Sequence, residues 1–238
     1  MIMDNERLYD SMTSGAGVSD RSTNVMLSKV YWWMFGALTV TGLTALYVSN
    51  SMSMLQFIFA DKWTFLILVA VELGLVIGLS AALDRISALT ATLMFLLYSV
   101  INGMTLSSIF IIYDIASIAR TFFVSAGIFA AMAVVGSITK RDLTKIGTVC
   151  IFAVIGLIVV TLINFFIGST MLEMVVSGIG VVVFLGLTAY DSQKIKAMLH
   201  NAPENDATSK IAVYGALELY LDFINIFLYM LRFLGRRN

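Results

Sequence analysis

Four carboxylates stand in stretches that are otherwise too apolar to hold them. Asp191 closes the run GIGVVVFLGLTAYD, Glu218 and Asp222 lie in IAVYGALELYLDFINIFLYMLRFL, and Glu72 stands near the centre of WTFLILVAVELGLVIGLSAA. A carboxylate at mid-membrane depth costs roughly 2.5 kcal/mol or more, so such residues must face protein or water rather than lipid. Burial and like-charge repulsion both favour the protonated form of a carboxyl. Two that approach closely therefore share a proton or hold a cation.

In the last of these runs Tyr214, Glu218, Asp222, Asn225 and Tyr229 recur at spacings of 4, 4, 3 and 4. A 3.6-residue period puts them on a single helix face. That polar stripe is predicted to line the bundle interior, either as part of a pathway or as a structural network between helices. Glu72 is the third buried carboxylate candidate beside Asp191 and Asp222. Asp191 is predicted to end its helix and lead into a loop, either as the first residue out of the membrane or close enough to Asp222 to form a pair. Arg85 is the cation placed to pair with an interior aspartate; otherwise it is an ordinary charge at a helix end.

The elements that must position these groups follow from composition. Of 238 residues, 59% are hydrophobic and 13% charged, far from a soluble globular domain. Roughly 140 apolar residues at about 20 per crossing supply roughly seven spans. The apolar stretches are 28–49, 64–83, 88–112, 117–138, 145–167, 172–190 and 211–233, each long enough to cross a bilayer as a helix. The expected organisation is a polar, flexible tail over 1–27, with no signal-peptide core, followed by a single all-α membrane domain over 28–238. Gly127 with Ala131, and Gly178, Gly180 and Gly186, have the spacing of close helix packing.

Ten Lys and Arg residues (Arg7, Arg21, Lys29, Arg85, Lys140, Arg141, Lys145, Lys194, Lys196 and Lys210) fall on the side of the N-terminus. Five fall on the other, Lys62, Arg120, Arg232, Arg236 and Arg237. The N-terminus is thus predicted to be cytoplasmic. Three of those five sit at the C-terminus; were the last segment re-entrant, the asymmetry would be steeper.

Several classes are excluded. Lys plus Arg equals Asp plus Glu at 15 each, which leaves no basic surface for nucleic acid. One cysteine, Cys150, allows no intramolecular disulfide. No phosphate-binding glycine loop or dinucleotide fingerprint is present, and no organic cofactor is expected. An intramembrane aspartyl protease would need a Gly-x-Gly-Asp segment where this chain has LYLD, and His200, in a polar loop, is poorly placed as a serine protease base. No enzyme is expected.

The segments FLGLTAYDSQKIK and GALELYLDFINIFLYMLRFLG resemble the C-terminal signature of the Bax-inhibitor family, the transmembrane BAX inhibitor motif proteins, and especially its bacterial members. YSVINGMTLSSIFIIY and TKRDL are similar to further family segments. The resemblance implies a seven-helix bundle with the last helix central, in the inner membrane of a bacterium, acting as a pH-sensitive cation (calcium) leak channel or exchanger-like transporter. It implies that Asp191 and Asp222 form a proton-sensing pair and that Arg85 is a latch on Asp191. Calcium would be a weakly held, passing ion at the two aspartates, because tight sites need six or more oxygens. The alternative is a non-transporting modulator that binds other membrane proteins, such as a membrane protease.

Overall fold

The computed structural model describes residues 20–83, 85–202 and 206–237. The chain runs through α1 (Asp20–Ser49), α2 (Met52–Phe59), α3 (Lys62–Ala82), α4 (Ala88–Leu106), the single turn α5 (Ile109–Ile112), α6 (Ile115–Ile138), α7 (Thr144–Ile167), α8 (Thr170–His200) and α9 (Asp206–Leu234). Among the described residues there is no strand, only an isolated bridge between Tyr113 and Arg237.

Polar side chains set the helix starts. Asp61, Ser87, Asp114 and Ser169 each accept a hydrogen bond from a backbone N–H of the first turn that follows, satisfying donors that the helix leaves open. α7 ends at Gly168, whose φ of 70° is the left-handed cap that glycine adopts without strain.

Among the described residues six helical segments are long and apolar enough to cross a membrane: 63–82, 88–112, 115–138, 144–167, 170–200 and 208–234. Seven were expected. α1, read as the first span, is also long enough, but Thr39, Thr41, Thr44, Gly36 and Gly42 dilute its apolar character. Residues 20–27, expected to belong to a flexible tail, are helical, since the helix already begins at Asp20. Thr23 and Leu27 are buried there, and Thr23 meets His200 at 3.4 Å. Residues 1–19, Asp84 and Pro203 lie outside the described residues.

The largest correction concerns Asp191. α8 does not stop there but continues to His200, because Ser192, Ile195 and Leu199, spaced by three and four, are fully buried on one face. The lysines and glutamine that signalled a loop occupy the other faces. His200 accordingly closes a helix rather than sitting in a loop.

Gln193 ties this extension to the α6–α7 turn. Its Oε1 accepts from Leu143 N at 2.9 Å, and its Nε2 donates to Arg141 O at 2.8 Å and Thr139 O at 3.3 Å. Asp142 in the same turn accepts from Thr144 Oγ1 and N, and those hydrogen bonds hold its carboxyl below the usual range. Gln193→Ala would leave the turn's amide and carbonyls to find water, at a cost of about 1 kcal/mol or more. Thermal unfolding in detergent should show a lowered midpoint, with faster amide exchange confined to residues 139–144.

The last helix is the most enclosed of the spans: 67% of its apolar window is buried, against 6% for 63–82 and 39% for 88–112. It packs against α8, α1, α6 and α4, with Phe223 edge-on to Phe122 and Phe129 of α6, and Tyr220 edge-on to Phe95 and Tyr98 of α4. By contrast α7 exposes Val149, Phe152, Phe165 and Phe166, as a helix bordered by hydrocarbon does. Gly180 meets the Tyr229 ring and Gly186 meets Cys150, as expected of packing glycines, whereas Gly127 and Gly178 face open space.

Candidate functional site

α8 carries Asp191 and Lys194 one turn apart, and α9 carries Glu218 and Asp222 one turn apart; the two helices pack side by side. Asp191 and Asp222 stand side by side on the wall of one cleft, close enough for their charges to act on each other. Asp222 is buried, 3% exposed, and its Oδ2 has no donor among the described residues. The Thr188 hydroxyl stands beside it but donates to Phe184 O at 2.8 Å. Two carboxyl oxygens have only lone pairs to offer each other. A proton held between two such carboxyls would join them by a hydrogen bond.

Lys194 Nζ donates to Glu218 Oε1 at 2.6 Å, and Tyr214 Oη donates to the same oxygen at 2.5 Å. The ammonium also lies over the Tyr214 ring, 5.4 Å from its centre. Glu218 Oε2 is buried without a partner among the described residues. Asp191, Lys194, Glu218, Asp222, Asn225 and Glu72 together line a cleft of about 480 Å³. Its other walls are largely apolar, including Val76, Val154 and Phe184.

Glu72 reaches this cleft from α3 and is held by Thr105 Oγ1 at 2.8 Å and Asn102 Nδ2 at 3.4 Å. Asn102 Oδ1 accepts from Tyr220 Oη at 2.9 Å, and Tyr220 Oη meets Thr41 Oγ1 at 2.7 Å. A continuous polar chain thus crosses α3, α4, α9 and α1. Glu72 also lines a second cavity of about 600 Å³ that extends toward Glu173, Arg232 and Arg237 at the opposite ends of the helices. On the other side, Tyr190 and Lys194 line both the cleft and a groove of about 620 Å³ beside the α6–α7 turn.

Of the predicted stripe, Glu218, Asp222 and Asn225 face the cleft, and Tyr214 touches it through Glu218. Tyr229 turns toward α8, against Gly180 and Phe184. Arg85 lies exposed in the turn after α3, and no ion pair joins it to Asp191 or to any other described carboxylate. The cation in the cluster is Lys194, which sequence reasoning counted only as a topology charge. Its spacing of three from Asp191 was the available signal, obscured by the expected helix end. Tyr220, Asn102, Thr105 and Thr41 were also missed, since single hydroxyls and amides in apolar runs are mostly helix-packing residues.

These features define a polytopic helical membrane protein whose interior holds a hydrogen-bonded cluster of ionisable side chains. The family model described as inhibitor of apoptosis-promoting Bax1 matches residues 23–238, so the chain belongs to the Bax-inhibitor family. It is 45% identical over 214 residues to the inner membrane protein YbhL of Escherichia coli strain K12, covering 89% of this chain and 92% of that protein. It is 43% identical over 216 residues to an uncharacterized protein of Borreliella burgdorferi, covering 90% and 93%. An uncharacterized protein of Rickettsia prowazekii is 39% identical over 226 residues, covering 95% of each chain.

Proposed function

We propose that this protein is a pH-sensitive calcium leak of the bacterial inner membrane, in which one proton shared by Asp191 and Asp222 sets the conducting population. The observation that carries this reading is the buried contact of two acceptor-only carboxyls at the wall of a cleft inside the helices. Groups that cost so much to bury serve either a pathway or a network. The cavities that meet at Glu72 and at Lys194 favour the pathway.

The proposed architecture is a seven-crossing bundle around α9, with a cytoplasmic N-terminus. The Thr23 to His200 contact supports it: it puts the start of α1 at the end of the molecule where α8 finishes, and α1 then runs to the opposite end, where α3 begins. Calcium is the proposed permeant ion, held transiently by the two aspartates, and no resident cofactor is invoked.

In the resting arrangement Asp191 is ionised and drawn to Arg85, and acid returns it to Asp222. The ligand here is a proton, which shifts the population because it binds the contact pair better than the separated one. Arg stays charged throughout, so only the carboxyl titrates. Arg85→Ala should therefore raise calcium flux at neutral pH several-fold, toward the level the unmodified protein reaches in acid. Flux of calcium into liposomes holding only the purified protein, followed against pH, tests the whole reading. Flux in empty and loaded vesicles that is identical at every pH would leave the modulator of other membrane proteins as the function.

A further inference from the structure

Resting on that reading, we propose that Lys194 is a tethered cation occupying the place that a permeant ion must take, and that it determines how strongly the cleft prefers divalent ions. Its ammonium is held at 2.6 Å from Glu218 and shares that carboxylate oxygen with the Tyr214 hydroxyl. Glu218 Oε2 and Asp222 Oδ2 stay buried without donors among the described residues. Both residues line the cleft, and these two oxygens are ones that no described residue satisfies. The cost of leaving them bare is the driving force for cation entry.

Position adds a second argument. Lys194 and Tyr190 are the residues common to the inner cleft and to the groove beside the α6–α7 turn. Tyr190 is fixed, because its ring lies directly over Gly147, where a Cβ would collide with it. The lysine, on a flexible four-carbon stem and about one-third exposed, is the movable half of that doorway. Lys140 and Asp142 border the groove outside it, so an ion from that side meets one charge of each sign before it meets Lys194.

Charge arithmetic gives the selectivity. Around Lys194, Asp191, Glu218 and Asp222 supply three negative charges, while Glu72, on α3, is held by Thr105 and Asn102; on the proposed reading one shared proton removes one of the three. The Lys194 ammonium removes a second, which leaves a net charge of one negative, enough for a monovalent ion. A divalent ion is matched only when Lys194 swings away into the groove, and the work of breaking its ion pair is subtracted from divalent affinity. Without that side chain's charge the cluster keeps two negative charges and matches calcium directly.

The test uses full-length protein, both in detergent and in liposomes, with calcium chloride against a potassium chloride background. Lys194→Gln should lower the half-saturating calcium concentration about tenfold and raise the calcium-to-potassium flux ratio, since a like charge next to the ion has been removed. Lys194→Arg should stay near the parent. Glu218→Gln, which removes a negative charge and releases the lysine toward Asp191, should raise the half-saturating concentration by a similar factor. Thermal unfolding of each variant establishes that it is folded, and Glu218→Gln alone decides the matter if Lys194→Gln does not fold. Calcium dependence unchanged in the folded variants, with flux intact in the parent, overturns the role of Lys194 and leaves the leak reading standing. A parent that binds calcium in a Lys194-dependent way but passes none overturns the leak reading and supports this one.

Discussion

Asp222→Asn abolishes the acid sensitivity of calcium flux while leaving a folded protein. The carboxyl it replaces is buried on the cleft wall beside Asp191, and on the proposed reading the two share a proton. An asparagine amide of nearly the same volume brings its own N–H to that contact at every pH, so the hydrogen bond that acid supplies in the parent becomes permanent. In the parent, loss of the shared proton sets two negative charges against each other. Unit charges about 4 Å apart repel by about 4 kcal/mol at an effective dielectric near 20, enough to shift a two-state equilibrium by about a thousandfold. On the proposed reading Asp191 then leaves for a cation, and the pathway shuts as pH rises. The variant has no such repulsion, so its flux should be flat with pH and near the parent's acid value. A profile superimposable on the parent's would make the pair a structural network.

The second large effect is on folding. Gly136 of α6 approaches the backbone of Ala189 in α8 so closely that a Cβ would stand on the Ala189 carbonyl. A backbone carbonyl cannot rotate aside as a side chain can, so Gly136→Ala must part the two helices. Overpacking of this kind costs about 1–3 kcal/mol, a five- to more than hundredfold loss in the folded-to-unfolded ratio, and bulkier residues should cost more. Ala189 is two residues from Asp191, so the aspartate pair is displaced as well. Gly127→Ala is the control: nothing lies near its would-be Cβ, and alanine should gain up to about 1 kcal/mol from helix propensity. Thermal unfolding midpoints in detergent that fall for position 136 and rise or hold for position 127 are the expected pattern. Equal midpoints would show that the α6–α8 contact yields freely.

What the sequence revealed and what it concealed divide along physical lines. The apolar runs, the helix-face periodicity of Glu218, Asp222 and Asn225, and the family segments rest on local pattern, and local pattern survives folding. The end of α8 did not, because a lysine-rich stretch reads as membrane exit whether or not the helix continues. Buried Ile195 and Leu199 carried the contrary signal. Lys194 was hidden by the same assumption, since a charge placed in a loop is not examined for partners. The Thr41–Tyr220–Asn102–Glu72 chain joins residues up to 179 apart in sequence. Nothing local marks a hydroxyl whose partner lies on another helix.

The central claim is that a single proton held between Asp191 and Asp222 sets the flux. The most direct measurement follows the infrared carbonyl band of protonated carboxyl groups and calcium flux in the same proteoliposomes across one pH series, for the parent and for Asp222→Asn. The account predicts that in the parent the band and the flux fall together as pH rises, with a common midpoint, and that in the variant neither follows that course. Flux that changes with pH while the parent's buried carboxyl band stays constant would contradict it.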